Sequence, residues 1–481
     1  MKKRILAALI AGATVLALAG CDNNNNSSDN GGSSNSGNSG AGSSNSDGGN
    51  NGGADEGKKL RIACWNYEMA EWFDTYYKDK IPSDVTVEWV QHPNADGVYQ
   101  QNLDRYLANN ESASADDKID LFLAEADYIA KYTNSGYSLN VKDLKSDINT
   151  SNTYKYILDA ATDNSGNLKG VSPQGTPSGF IVRKSIAKDV LGVDTADEIQ
   201  AKLDTWDKFN AVAKQAKDKG YIMTGSITTL WRVYAASAKT AWLDSNNKFA
   251  PIPEFNQWFA QAKDFMANGY SIAGGNWADE VTNEMMKDGK CMTYIGPMWY
   301  YAFNMNKAFN DSETGSNNDW LFIQGPQAHF WGGTWMLAAK GTDNPTLCGQ
   351  ILNDLLNDED FLLAAAEGRG IKKRSEADGT ITSEDKYNPL FPSNKNVVAK
   401  LAADSSKGFA GLADGQNDFA VQSKIADGIV WTPSAHTAYD QTFNEGLFDN
   451  IIEIWTAGVS EEQAWNNFYE KLATVVPDAT H

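Results

Sequence analysis

The residues most able to do chemistry here are aromatic. The chain carries 15 tryptophans, several in loop-like text beside Gly, Pro, Asn or Tyr: Trp65-Asn66-Tyr67, Asn276-Trp277, Pro297-Met298-Trp299-Tyr300-Tyr301, and Phe330-Trp331-Gly332-Gly333-Thr334-Trp335. Sugars present flat arrays of C–H groups that pack on aromatic faces, while their hydroxyls need short polar partners such as Asp, Glu, Asn and Arg. Loop aromatics mixed with such residues suit a sugar cleft. Trp206, Trp258, Trp455 and Trp465 stand in helical text and are expected in the core. Trp65, Trp299 and Trp331 are expected at a ligand. Loop placement adds Tyr67, Glu68, Glu125, Thr176, Trp277, Trp335 and Arg369 as binding candidates. Arg369, in Glu367-Gly368-Arg369-Gly370, either hydrogen-bonds a sugar or offsets the dipole of the helix it follows.

Catalytic signatures are missing. There is no G-x-S-x-G elbow, H-E-x-x-H, phosphate-binding Walker loop or C-x-x-C, and His92, His329, His436 and His481 have no metal-ligand spacing. No cofactor or metal is expected. Paired carboxylates for glycoside hydrolysis stay open, because 62 acidic residues leave many ways for two to meet. The net charge of −21 argues against nucleic acid and anionic headgroups as partners, since both require clustered Lys and Arg.

The elements that must position these residues read as an α/β layer. Leu60–Trp65 and Val85–Val90 alternate as strands, a helix-length stretch Met69–Lys80 lies between them, and Ile119–Leu123 is a continuous apolar run suited to a buried parallel strand. Thr205 caps a helix with Trp206, Phe209, Ala213 and Ala216 on one face, closed at Gly220. Asn344-Pro345 opens another with Ile351, Leu352, Leu355 and Leu356 inward; Asp358 starts a third that ends at Gly368, and Ser460-x-x-Gln463 is a capping-box spacing. The Pro/Gly run Ser172–Gly179 turns the chain, either as a passage between lobes or as a surface turn.

The N-terminus is a Lys/Arg start, an apolar run too short to span a bilayer, and Leu18-Ala19-Gly20-Cys21. That reads as an export signal, residues 1–20, and it resembles a lipobox, with lipid expected on Cys21. Residues 21–57 are nearly all Asn, Ser, Gly and Asp, a disordered tether with a reach on the order of 30 Å. Cys64, Cys291 and Cys348 make no disulfide framework. One pair, Cys64 with Cys291, is open; the alternative is buried free thiols.

Four stretches in order carry a family resemblance: Asp120–Tyr128 running to Ser135-Gly136-Tyr137; Gly179–Gly192; Asp288–Met292 leading to Gly296-Pro297; and Trp331–Trp335 before the Asn344-Pro345 helix. Together they are similar to the extracellular solute-binding proteins of carbohydrate ABC importers, family 1. The resemblance implies an α/β fold of periplasmic-binding-protein type, two lobes joined at a hinge with a ligand cleft between them. The expected boundaries are 58–172 plus 333–392 for the N-terminal lobe and 173–332 plus 393–475 for the C-terminal lobe. By position, Asp127 is expected to hydrogen-bond sugar hydroxyls, or else to cap a helix; Trp231 is expected to be an aromatic platform, with Met298-Trp299-Tyr300 another. Tyr128 stands where maltodextrin binders carry Arg, which points away from a maltose-type ligand. The expected function is that of a monomeric, lipid-anchored binder on the outer face of a bacterial membrane. It passes an oligosaccharide to permease subunits without turning it over. The alternatives are a polyamine or peptide binder on the same fold, or a cell-surface glycoside hydrolase.

Overall fold

The computed structural model describes residues 57–481, so the export signal, the lipid site at Cys21 and nearly all of the expected tether lie outside the described residues. In chain order the strands are β1 Lys59–Cys64, β2 Thr86–Gln91, β3 Leu121–Glu125, β4 Gly170–Val171, β5 Gln174–Gly175, β6 Pro177–Arg183 and β7 Ile222–Thr224. Next come β8 Cys291–Gly296, β9 Trp320–Ile323, β10 His329–Phe330, β11 Thr334–Ala338, β12 Ile371–Arg374, β13 Ile381–Lys386 and β14 Phe391–Pro392.

Two five-stranded sheets organise the body. In the first, the order is β2-β1-β3-β11-β4, with β1 parallel to β2 and β3, and β11 antiparallel to β3 and β4. In the second, β6 is central, paired antiparallel with β8 on one edge and with β9 and β10 on the other, while β7 runs parallel to β8. The buried run predicted at Ile119–Leu123 is β3, covered on both faces. Asp120 precedes it and is buried. Its carboxylate accepts the Arg61 N–H (2.8 Å) and the Thr342 hydroxyl (2.5 Å), which ties the start of β3 to β1 and to the turn before the Pro345–Asn357 helix. Burial pushes this carboxyl up to about 6.

Side-chain alternation splits β6 between two cores, since successive residues of a strand face opposite ways. Ile181 joins the core that fills the first lobe and runs beneath the second sheet. Phe180 and Val182 join an outer core with Trp231, Phe255, Trp258 and Phe468. The chain passes between the sheets along 170–183 and back along 329–338, then again between the helices Lys395–Ala403 and Asp418–Gly428, which pack on each other. The Ser172–Gly179 run is therefore a buried passage and no surface turn. β5 pairs with β14 and the start of β6 with β10, so its backbone groups find partners without solvent. Asn394 Nδ2 donates to Leu356 O (2.8 Å) and Lys400 pairs with Glu359, which ties the helix Lys395–Ala403 to the first lobe.

The helix signals correspond to capped helices. Thr205 accepts from Lys208 N–H, Asp358 from Phe361 N–H and Ser460 from Gln463 N–H, and Gly368 closes the Glu359–Glu367 helix at φ +57°. Cys64 and Cys291 do not pair. They lie on β1 and β8 of different sheets, and both, with Cys348, are buried and outside any disulfide. Among the described residues no helix is long and apolar enough to cross a membrane.

His329, on β10, is fully buried against Phe180; its Nδ1 faces Gln327 O (3.1 Å) and its Nε2 has no partner. Burial holds the ring neutral, with its pKa down at about 4 against an ordinary 6.5. The unfolded chain therefore binds this proton more readily. The stability carried by neutral His329 is complete above pH 6.5 and declines as pH falls towards 4. Asp120 and Asp418, both raised to about 6 by burial, act in the opposite sense over part of that range. Urea denaturation at pH 7 and pH 5 is expected to show His329→Gln losing about 2 kcal/mol less than the wild type on acidification. Equal losses would remove His329 as the cause.

Candidate functional site

The C-terminal ends of β1 and β3 open towards the second sheet, and the candidate site lies there. β3 ends at Glu125, and the chain turns at once through Ala126 and Asp127. The turn is fixed locally: Glu125 Oε2 accepts the Asp127 N–H (2.7 Å), and Glu125 O accepts the Tyr128 N–H (3.0 Å). Burial, with the neighbouring Asp127 charge, raises the Glu125 carboxyl well above the ordinary carboxylate range. Asp127 caps no helix. Its carboxylate points across the cleft and takes both oxygens to Arg232 Nη1, at 2.9 and 2.8 Å, while Asn444 Nδ2 donates to Oδ1 at 2.9 Å. The side chains of this pair are only 9% and 16% exposed.

Arg232 comes from the second-lobe helix Ile227–Ala235, which Ser226 caps by accepting the Thr228 N–H. Its guanidinium lies 5.4 Å from the Trp331 ring. Asn444 sits in a π-helical turn, Thr442–Gly446, and accepts from Trp231 Nε1 (3.2 Å); such turns recur at functional sites because they re-aim side chains. Trp331 follows β10 on the return passage. Trp299 Nε1 donates to Trp331 O (3.3 Å), and the two rings meet edge to face at 5.0 Å. The chain then bends at Gly332 and Gly333, with φ +70° and +116°, conformations that L side chains rarely adopt. The bend brings Gly332 O within 2.8 Å of the Thr176 hydroxyl.

Two spaces flank the bridge. A central cavity of about 40 Å³ is lined by Asp127, Arg232, Trp331, Trp431, His436 and Asp440. There His436 stacks on Trp431 at 3.6 Å, and its Nδ1 lies 2.7 Å from Asp440 Oδ2. A larger groove of about 720 Å³ lies between Gln100, Asp104 and Lys131 of the first lobe and Gln441, Glu445 and Asp449 of the second. Gln100 Nε2 bridges it to Gln441 Oε1. Among the described residues, no group of three His, Cys, Asp or Glu side chains is placed to hold a metal ion.

Of the residues singled out in the sequence, Glu125, Asp127, Thr176, Trp299 and Trp331 meet here. Trp65, at the end of β1, stands beside them, half-buried against Tyr99 and Tyr128. Trp231 is not a platform: it is fully buried between Trp242, Phe255 and Trp258. The cleft residue is its neighbour Arg232, because consecutive helical residues point about 100° apart. Trp335 is likewise a core residue, buried on β11 with Nε1 donating to Ile157 O (2.9 Å). Tyr300 lies beneath Trp299, buried, its hydroxyl on Asn276 Oδ1 (2.5 Å). Trp277 is 63% exposed and outside the cavity. Tyr67 is buried and Glu68 half-buried, the latter bonded to Asn388 (3.0 Å). Arg369 is exposed, stacks over Tyr387 at 5.4 Å and lines a separate cavity of about 170 Å³ with Met298 and Phe409. Arg232, Trp431, His436, Asp440 and Asn444 carried no sequence signal of a site, apart from the place of Arg232 beside Trp231 on an amphipathic helix.

A family model for bacterial extracellular solute-binding proteins matches residues 71–383. Comparison with curated proteins gives no sequence match. Among solved structures, an extracellular solute-binding protein of family 1 is similar with a TM-score of 0.69 and 15% identity, covering 88% of this chain and 100% of that one. The galacto-N-biose-/lacto-N-biose I-binding protein of an ABC transporter from Bifidobacterium longum, in complex with lacto-N-biose, gives 0.60 and 12%, over 87% and 97%. A maltose-bound protein of T. maritima gives 0.58 and 13%, over 87% and 100%. These likenesses carry the two-lobed fold. Family and neighbours are binding proteins and not enzymes, so the hydrolase alternative falls. A match over well more than half of the chain, on a fold of two sheets with a cleft at their strand ends, places this protein among the bacterial extracellular solute-binding proteins.

Proposed function

We propose that the protein is the extracellular, lipid-anchored binding component of an ABC importer and that it carries a neutral oligosaccharide. The observation that carries this reading is the Asp127–Arg232–Asn444 bridge with the Trp299–Trp331 pair at its side. It combines an acceptor, two kinds of donor and aromatic faces, the groups that sugar hydroxyls and C–H faces require. The sugars named in the similar structures, lacto-N-biose and maltose, support the class. Tyr128 in place of an Arg favours a ligand other than maltose.

The mechanism follows from size. The central cavity of about 40 Å³ is far below the roughly 300–1,000 Å³ of ordinary ligand sites, so a sugar enters only when the lobes part and the bridge opens. Its hydroxyls then donate to Asp127 and accept from Arg232 and Asn444, replacing the bonds that opening breaks. Closure around the sugar gives the permease a form to recognise. No step makes or breaks a covalent bond in the sugar. Lys2, Lys3 and Arg4 with the lipobox ending at Cys21 support export and lipid anchoring, and residues 21–57 supply the tether.

A thermal-shift panel of α- and β-linked oligosaccharides, monosaccharides, polyamines and peptides is expected to give an upward shift with one sugar series. Calorimetry with that series is expected to show Trp299→Ala and Trp331→Ala each weakening binding by about 1–3 kcal/mol; undiminished affinity in both, or a response to amines alone, would sink the sugar reading. Small-angle scattering on the ligand-free protein should give a larger radius of gyration for Arg232→Ala than for wild type, whereas equal radii would mean that the bridge does not hold the lobes together. In cells, Cys21→Ser should move the protein from the membrane to the soluble fraction; unchanged membrane retention would exclude lipid on Cys21.

A further inference from the structure

The cleft has a second polar wall, away from the bridge. β12 and β13 form a largely exposed hairpin that is strapped to the helix Glu68–Tyr76. The Arg374 N–H donates to Glu71 Oε1 (2.7 Å), the Arg374 guanidinium holds Asp74 (Nε to Oδ2, 2.7 Å), and Lys386 pairs with the buried Glu71. The Lys372 N–H donates to the Thr75 hydroxyl (3.2 Å). A Cβ on Gly379 would stand 2.6 Å from the Tyr67 hydroxyl, so the hairpin lies directly on the loop after β1. The anchoring fixes Lys386 with its Nζ 5.8 Å from the Phe303 ring, on the second-lobe helix Trp299–Phe303.

Phe303 is 44% exposed, unusual for so large an apolar ring. It stands 6.4 Å from Trp299, which is 5.0 Å from Trp331, so the three rings form a row leading away from the bridge. At the outer end of that row the first lobe sets the Lys386 ammonium over the Phe303 ring, and beside Lys386 stands Glu68, whose carboxyl feels its charge, with Asn388 bonded behind it. Asn388 Nδ2 donates to Glu68 Oε1 (3.0 Å), and the Asn388 side chain, almost wholly buried, keeps its Oδ1 without a partner. An aromatic face on one wall opposite a carboxylate, an amide and an ammonium on the other is the set of groups that one pyranose ring needs.

We propose that Phe303, Glu68, Asn388 and Lys386 form an outer subsite that takes a further neutral hexose ring of an oligosaccharide whose inner rings lie at Trp299 and Trp331. The inference rests on the sugar reading above and adds a length requirement to it: affinity rises beyond the disaccharide. Calorimetry on the full chain with α- and β-linked gluco- and galacto-oligosaccharides of two to five residues tests it. For the series that binds, wild-type affinity is expected to climb from the two- to the four-residue sugar. Phe303→Ala should remove that climb, weakening the four-residue sugar roughly tenfold and leaving the two-residue sugar unchanged. Glu68→Gln should act in the same direction without touching the aromatic row. Equal loss at both lengths, no loss at either, or a wild type indifferent to length would overturn the subsite and leave the sugar reading standing. A wild type that binds none of these sugars would instead fail the sugar reading, and the subsite with it.

Discussion

A buried carboxylate has to be satisfied, and the central architecture of this protein follows from satisfying Asp127. Removed from water, an aspartate costs several kcal/mol unless hydrogen bonds and an opposite charge replace its hydration. Asp127 obtains both from the other lobe: the Arg232 guanidinium and the Asn444 amide. The partners are far apart in sequence, so the bond also defines how the lobes meet. Arg232 is presented by the capped helix Ile227–Ala235 and Asn444 by the π-helical turn Thr442–Gly446. The bond also makes the site a competitive one, because whatever enters must match the bonds it displaces.

The passages between the lobes hold that geometry in register. β6, β10 and β11 are buried and paired with their neighbours, and the first core continues past them beneath the second sheet. Gly332 and Gly333 lie where the return passage leaves the cleft, and their left-handed backbone turns the Trp331 ring towards Arg232 while β11 re-enters the first sheet. The loops that carry the site are short and tied to rigid strands, a condition for placing hydrogen-bonding groups within tenths of an ångström.

The local features were readable because each depends on neighbours in sequence. Thr205, Asp358 and Ser460 cap helices with a side chain that reaches the third residue on, and β3 is a buried strand because its own residues are apolar. Glu125, Asp127, Trp299 and Trp331, which the fold brings together at the candidate site, were readable as candidates from aromatic and acidic types in loop text and from the ordered family stretches. Trp231 was misread because the family resemblance carries an aromatic platform to its position, and Trp335 because it stands in loop-like text beside Gly332 and Gly333. Whether a tryptophan's face is free depends on what packs against it, and here Trp258 and the Ile157 carbonyl do.

By itself, then, the sequence determined the α/β alternation, the capped helices and the family. Each of these is a property of composition, of short-range spacing or of motif order. Only the tertiary structure decided that Arg232, Asn444 and His436 line the candidate cleft, that Trp231 is buried away from it, and that Phe303 lies under Lys386 of the hairpin. The physical reason is that a side chain acts through space. Contacts between residues separated by 105 and 317 positions, as Asp127 has with Arg232 and Asn444, have no period and no motif, and they exist only once two sheets and three passages have been packed.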